Sequence, residues 1–165
     1  MVDFSDTPTA KISSNVNPEY IQEIGGFYSE INHFQVAQIH PTGIVDRIKT
    51  AISAPEKFEY FFVNSQNEEI LKQYIQKHQI DLVWAEWRWT AILAYYSNLK
   101  VPIVYAHHDW EFKLRKLKSS LSLLEKFHLK QKKRVELELV KNISACVSAS
   151  LTETEEIKAY GNRNA

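Results

Sequence analysis

Four short apolar runs, set apart by segments with helical spacing, constrain this chain more than any other feature. They are residues 60–63 (YFFV), 81–85 (DLVWA), 103–106 (IVYA) and 143–147 (ISACV). Runs this short and this continuously apolar are the mark of strands covered on both faces. Between them the spacing predicts helices over 66–78, with Asn64 or Ser65 as cap, over 90–99, which is apolar nearly all round, and over about 117–141. Buried strands alternating with helices of ten or more residues imply βαβ units. The expected fold is therefore α/β: a doubly wound, Rossmann-like parallel sheet with helices on both sides.

The flanks are less regular. Residues 1–16 are polar and without periodicity, and read as a flexible arm ahead of a single domain over 17–165. Tyr20, Ile21, Ile24, Phe27, Tyr28 and Ile31 have helical spacing broken by Gly25-Gly26. Residues 34–39 read as a short strand. Ile44, Ile48 and Ile52 fall every four residues on a short helix that ends before Pro55. Residues 152–160 form a last acidic helix with Thr152 and Glu155 in capping-box register. The chain stops where a further strand is natural, so it reads as a piece of something longer.

Composition excludes several functions. A single cysteine, Cys146, leaves no disulfide framework and no cysteine-based zinc site. A two-His metal site at His107-His108 is disfavoured because adjacent side chains on an extended segment point opposite ways. No apolar run reaches the length of a membrane span, and no signal peptide opens the chain, which points to the cytoplasm. The formal net charge is zero, yet residues 111–134 hold nine Lys/Arg against two Asp/Glu. That block, with Lys113, Lys116, Lys118, Lys132 and Lys133 beside Leu117, Leu121 and Leu124, has two main readings. It is a solvated core-packing helix or an interfacial helix on anionic lipid. A nucleic-acid surface is the weakest reading, because the rest of the chain is acidic and carries no recognition motif.

Ligands of open parallel sheets sit beyond the carboxyl ends of the strands. There this chain places Glu86-Trp87-Arg88-Trp89, then His107-His108-Asp109-Trp110-Glu111, then Ser148-Ala149-Ser150. The first string is a sugar or aromatic site, or core packing with an Arg–Glu pair. The second holds a histidine able to move a proton near pH 7 beside carboxylates, or it caps a loop. The two serines read as a helix cap, since neither lies in a nucleophile elbow. Gly25-Gly26 alone does not make a phosphate loop.

Residues 81–161 taken in order resemble the acceptor-side half of a family-4-type glycosyltransferase of the GT-B fold. The resemblance rests on Asp81–Ala85, an apolar helix, Val-Pro-Ile-Val-Tyr-Ala-His-His-Asp-Trp-Glu at 101–111, Arg134-Val-Glu136, and the strand and helix from Ala145 to Gly161. It covers about half of the chain. It implies a retaining hexosyltransferase whose other half binds the nucleotide sugar; this chain would bind no cofactor and be inactive alone. His108 aligns with the cleft histidine beside the transferred sugar, which makes it the catalytic candidate. Glu86, Trp87, Arg88, Asp109 and Glu111 become acceptor-binding candidates, and the five lysines a membrane-facing set. The expected partners are a C-terminal donor-binding domain or subunit, a sugar or lipid-linked acceptor, and an anionic surface at the inner membrane face. The family's opening strand and glycine-rich loop are missing or degraded here. A stand-alone α/β binding module without catalysis is the alternative.

Overall fold

A computed structural model describes residues 2–3, 32–33, 36–116 and 121–165. The chain divides into two compact units, Met1–Gln38 and Ile39–Ala165. In the first, strand β1 (Val2–Asp3) pairs in parallel with β2 (Asn32–His33). Two residues of the expected arm, Val2 and Asp3, are thus strand. The rest of that arm, the pattern over residues 20–31, and Leu117 and Lys118 lie outside the described residues.

The second unit is mixed α/β. Its elements run α1 (Ile44–Ser53), α2 (Pro55–Glu59), α3 (Ser65–Lys77), β3 (Val83–Ala85), α4 (Arg88–Tyr96), β4 (Ile103–His107), α5 (Glu111–Lys116), α6 (Leu123–Asn142), β5 (Ala145–Ser148) and α7 (Leu151–Ala159). The three strands form a parallel sheet in the order β3-β4-β5, with Val83 opposite Ile103 and Val104 opposite Ala145.

That order decides where the helices go. Right-handed crossovers between sequence-adjacent neighbours return over the same face each time. Accordingly α4 packs on β3 and β4 with α6 beside it. By alternation and register, Ile103, Tyr105, His107 and Cys146 share the covered face and all are buried. Trp84, Val104 and Val147 share the other face, where Trp84 and Val147 are exposed. Among the described residues the crossover helices therefore lie on one side of the sheet, not both.

The largest departure is at 60–63, expected to be strand and found as a turn. Pro55 opens α2 one residue after α1, and the Tyr60 N–H closes that helix on the Glu56 carbonyl at 2.8 Å. Side-chain amides hold the turn in place. The Asn64 amide donates to Phe61 O at 3.1 Å and the Asn67 amide to Phe62 O at 2.7 Å. Tyr60, Phe62 and Val63 are buried nonetheless, with Tyr60 and Phe62 packed edge-on to Trp89. Apolar content marked the core correctly and the backbone state wrongly. Residues 36–40, which include most of the expected strand at 34–39, are irregular; Ile39 donates to Phe61 O at 3.0 Å.

The capping chemistry is local. Asn64 caps α3 by accepting the Asn67 N–H. Ser122 and Glu125 form a capping box that starts α6 at 123 instead of 117. Ser150 caps α7 by accepting the Glu153 N–H, and Ser148 donates to the Glu153 carboxylate at 2.8 Å. The cap thus sits at Ser150, two residues before the expected Thr152, and no reciprocal box closes it: the Ser150 N–H goes to Ser148 Oγ at 3.2 Å. The stripe Ile44, Ile48 and Ile52 lies on α1 but points outward, leaving Ala51 as its buried residue.

Candidate functional site

The carboxyl ends of β3 and β4 bring four side chains into one connected group. Alternation along β4 turns His107 onto the covered face, 4% exposed, and leaves His108 beyond the strand end in solvent. His108 Nε2 lies 3.4 Å from Glu86 Oε1. Glu86 Oε2 accepts the Trp84 indole N–H at 2.8 Å. The His108 ring stacks on Trp87, centroids 4.7 Å apart at 26°. Trp87 is held at the start of α4 by Thr90, whose hydroxyl accepts its N–H and donates to its carbonyl at 2.7 Å. The result is an imidazole with a carboxylate at one nitrogen and an indole against its face, open to water.

Beneath this rim lies a buried ionic cluster. Arg88, the first residue of α4, reaches Asp109 at 3.5 Å, Glu111 at 3.2 Å and Glu136 at 3.5 Å. Lys132 donates to Glu111 Oε1 at 2.7 Å. The Arg88 guanidinium is held above its ordinary value, because Glu111 and Glu136 outweigh the burial that works against its charge. Burial pushes Glu136 up to about 7, against the pull of Arg88. The arginine fastens the loop after β3 to the loop after β4, which keeps Trp87 against His108.

A third group surrounds His107. Its Nδ1 is 3.6 Å from Glu153 Oε2, and its ring lies 4.5 Å from that of Trp110. Burial lowers its pKa, with Glu153 opposing, so the neutral ring is favoured. Trp110 donates to Glu156 at 3.0 Å, and Lys113 binds the same carboxylate. Burial also pushes the Cys146 thiol up to about 12, which leaves it inert as a nucleophile.

The candidates named from sequence thus separate. Glu86, Trp87 and His108 meet at the rim, and Asp109 lies at its edge, half exposed. Arg88 and Glu111 do not present themselves to an acceptor, because each is turned inward onto opposite charge. Lys132 is a correction: it is 8% exposed and neutralises Glu111, so it faces no membrane. Lys113 is tied to Glu156, Lys133 is exposed with its ammonium 5.4 Å from the Phe112 ring, and Lys116 ends α5. The outward face of α6 instead carries Lys126, Lys130, Lys133 and Arg134 with Leu123 and Phe127. Trp84 and Glu136 were not singled out as site residues. Trp84 was hidden inside a run read as core, and Glu136 has no sequence neighbour that reveals its burial.

Among the described residues no group of three His, Cys, Asp or Glu could hold a metal ion. Among them, too, no helix is long and apolar enough to cross a membrane. Comparison of the chain with protein-family models, with curated proteins and with solved structures returns no match.

Proposed function

We propose that this chain is the acceptor-binding half of a retaining glycosyltransferase, one Rossmann-like half of a GT-B architecture. It would work with a donor-binding domain or subunit that holds the nucleotide sugar. The observation that carries the reading is His108, exposed at the carboxyl edge of the sheet, with Glu86 at its Nε2 and Trp87 against its ring. Glu86 fixes the tautomer, so the imidazole can hold a hydroxyl of the transferred sugar in one orientation. Charge developing on the sugar ring and the leaving diphosphate falls to the donor-binding half.

The test uses the enzyme with its donor-binding half present. His108→Ala should lower turnover at least about tenfold, equivalent to about 1.4 kcal/mol of barrier. Its melting temperature should stay nearly unchanged, since the side chain is 44% exposed. Equal loss from His107→Ala and none from His108→Ala would reverse the assignment.

The same reading includes a peripheral position at the inner membrane face. What supports it is the outward face of α6, where Leu123 is 86% and Phe127 39% exposed among Lys126, Lys130, Lys133 and Arg134. Each cation is worth on the order of 1 kcal/mol near an anionic surface, and salt weakens it. Sedimentation with anionic vesicles should therefore exceed that with neutral ones at low salt. It should fall when the four cations are changed to Gln. Binding indifferent to lipid charge removes the membrane from the proposal.

A further inference from the structure

We infer that the rim beside β3 takes a pyranose ring, stacked on the indole of Trp84 and hydrogen-bonded to Glu86 and His108. This rests on the transferase reading and deepens it: the acceptor is itself a sugar. A tryptophan in the middle of a strand ordinarily supplies core area, yet Trp84 is 56% exposed and Trp87, three residues on, 58%. Both belong to one bonded chain that runs Trp84, Glu86, His108, Trp87. The bond from the indole N–H to Glu86 fixes the tilt of the Trp84 ring, so a flat apolar surface is presented already ordered.

The chemistry around that surface selects among ligands. A pyranose has an apolar C–H face and a rim of hydroxyl donors, which matches an indole face edged by a carboxylate. An ionised carboxylate offers about four acceptor sites. Glu86 spends one on Trp84 and one towards His108, which leaves room for sugar hydroxyls. A lipid tail laid here would strip water from Glu86 without replacing its hydrogen bonds. A phosphate would meet that negative charge, and Arg88, which follows Trp87, is turned inward to Glu111 and Glu136. Nucleic acid fails on the same count.

The experiment needs no donor and uses the whole chain. It is titrated with methyl α-D-glucopyranoside, methyl β-D-galactopyranoside and N-acetylglucosamine, following indole fluorescence and the indole N–H resonance of Trp84. At least one sugar should bind saturably, with Kd on the order of 1–10 mM, and should shift that resonance. Trp84→Ala should weaken binding at least tenfold, whereas Trp84→Phe, which keeps an aromatic face, should retain most of it. Both variants should melt close to the parent, so a loss of binding cannot be a loss of fold. No saturable response to any of the three sugars, or equal binding by Trp84→Ala, overturns the inference. Sugar binding by the chain, with no transfer once the donor-binding half and a nucleotide sugar are supplied, would sustain this site and sink the transferase; transfer by that complete enzyme to a non-sugar acceptor, without sugar binding here, would do the reverse.

Discussion

Arg88→Met should destabilise the fold by about 3 kcal/mol, the cost of leaving buried carboxylates without their counter-charge. The side chain of Arg88 is 15% exposed, while those of Glu111 and Glu136 are 9% and 3% exposed. Lys132 still neutralises Glu111 in the variant, which holds the loss to the lower end of the range for broken buried pairs. Among the described residues Glu136 keeps no cation, so most of the loss belongs to it. In thermal unfolding this is a drop of roughly 10 °C for a unit of this size. Arg88→Lys keeps the charge but not the planar fork that reaches three acids, and should recover only part of the loss. A midpoint within 2 °C of the parent for Arg88→Met would mean that the cluster is no support at all. Because Arg88 also joins the loop of Trp87 to the loop of His108, its loss should loosen the ring stack as well.

Glu136→Gln should change how stability depends on pH, with an amplitude on the order of 3 kcal/mol. Burial raises the Glu136 carboxyl from 4.5 to about 7 in the fold. Between those values the folded state binds more protons than the unfolded one. Stability conferred by this group is therefore present at low pH and is lost as pH rises towards 7. Glutamine imitates the protonated form at every pH. The stability of the parent minus that of the variant should thus decline from about pH 4.5 to about pH 7 and then flatten. His107 acts in the opposite sense, since its lowered pKa removes stability on acidification. It is present in both proteins and cancels in the difference. Urea midpoints at half-unit pH steps measure this directly, and a difference that is flat or climbs with pH would refute the burial argument.

Some of this was legible in the residue string because it depends on local rules. Alternation along an extended chain separates His107 from His108 wherever the strand goes, and the helices on either side of β3 announce themselves by spacing. The turn at 60–63 was not legible, because it depends on Asn64 and Asn67 folding back onto carbonyls, and an aromatic run gives no sign of that. Nor was the direction of Lys132. On a helix so rich in lysine, nothing in the string distinguishes the one that meets Glu111 across the fold from those that meet water. Trp84 was misread for a related reason. A continuous apolar run signals cover on both faces, and here the crossover helices cover one.

The bond between Arg88 and Asp109 spans 21 residues, while that between Ile103 and Ser144, which brings β5 alongside, spans 41. Closing the longer loop costs about 0.6 kcal/mol more in chain entropy, and short-range pairings tend to form first. The crossover unit β3-α4-β4, with the His108 that follows it, therefore carries the whole of the Trp84–Glu86–His108–Trp87 rim within a short span. Its assembly asks nothing of β5, so the rim closes over a shorter loop than the complete sheet does.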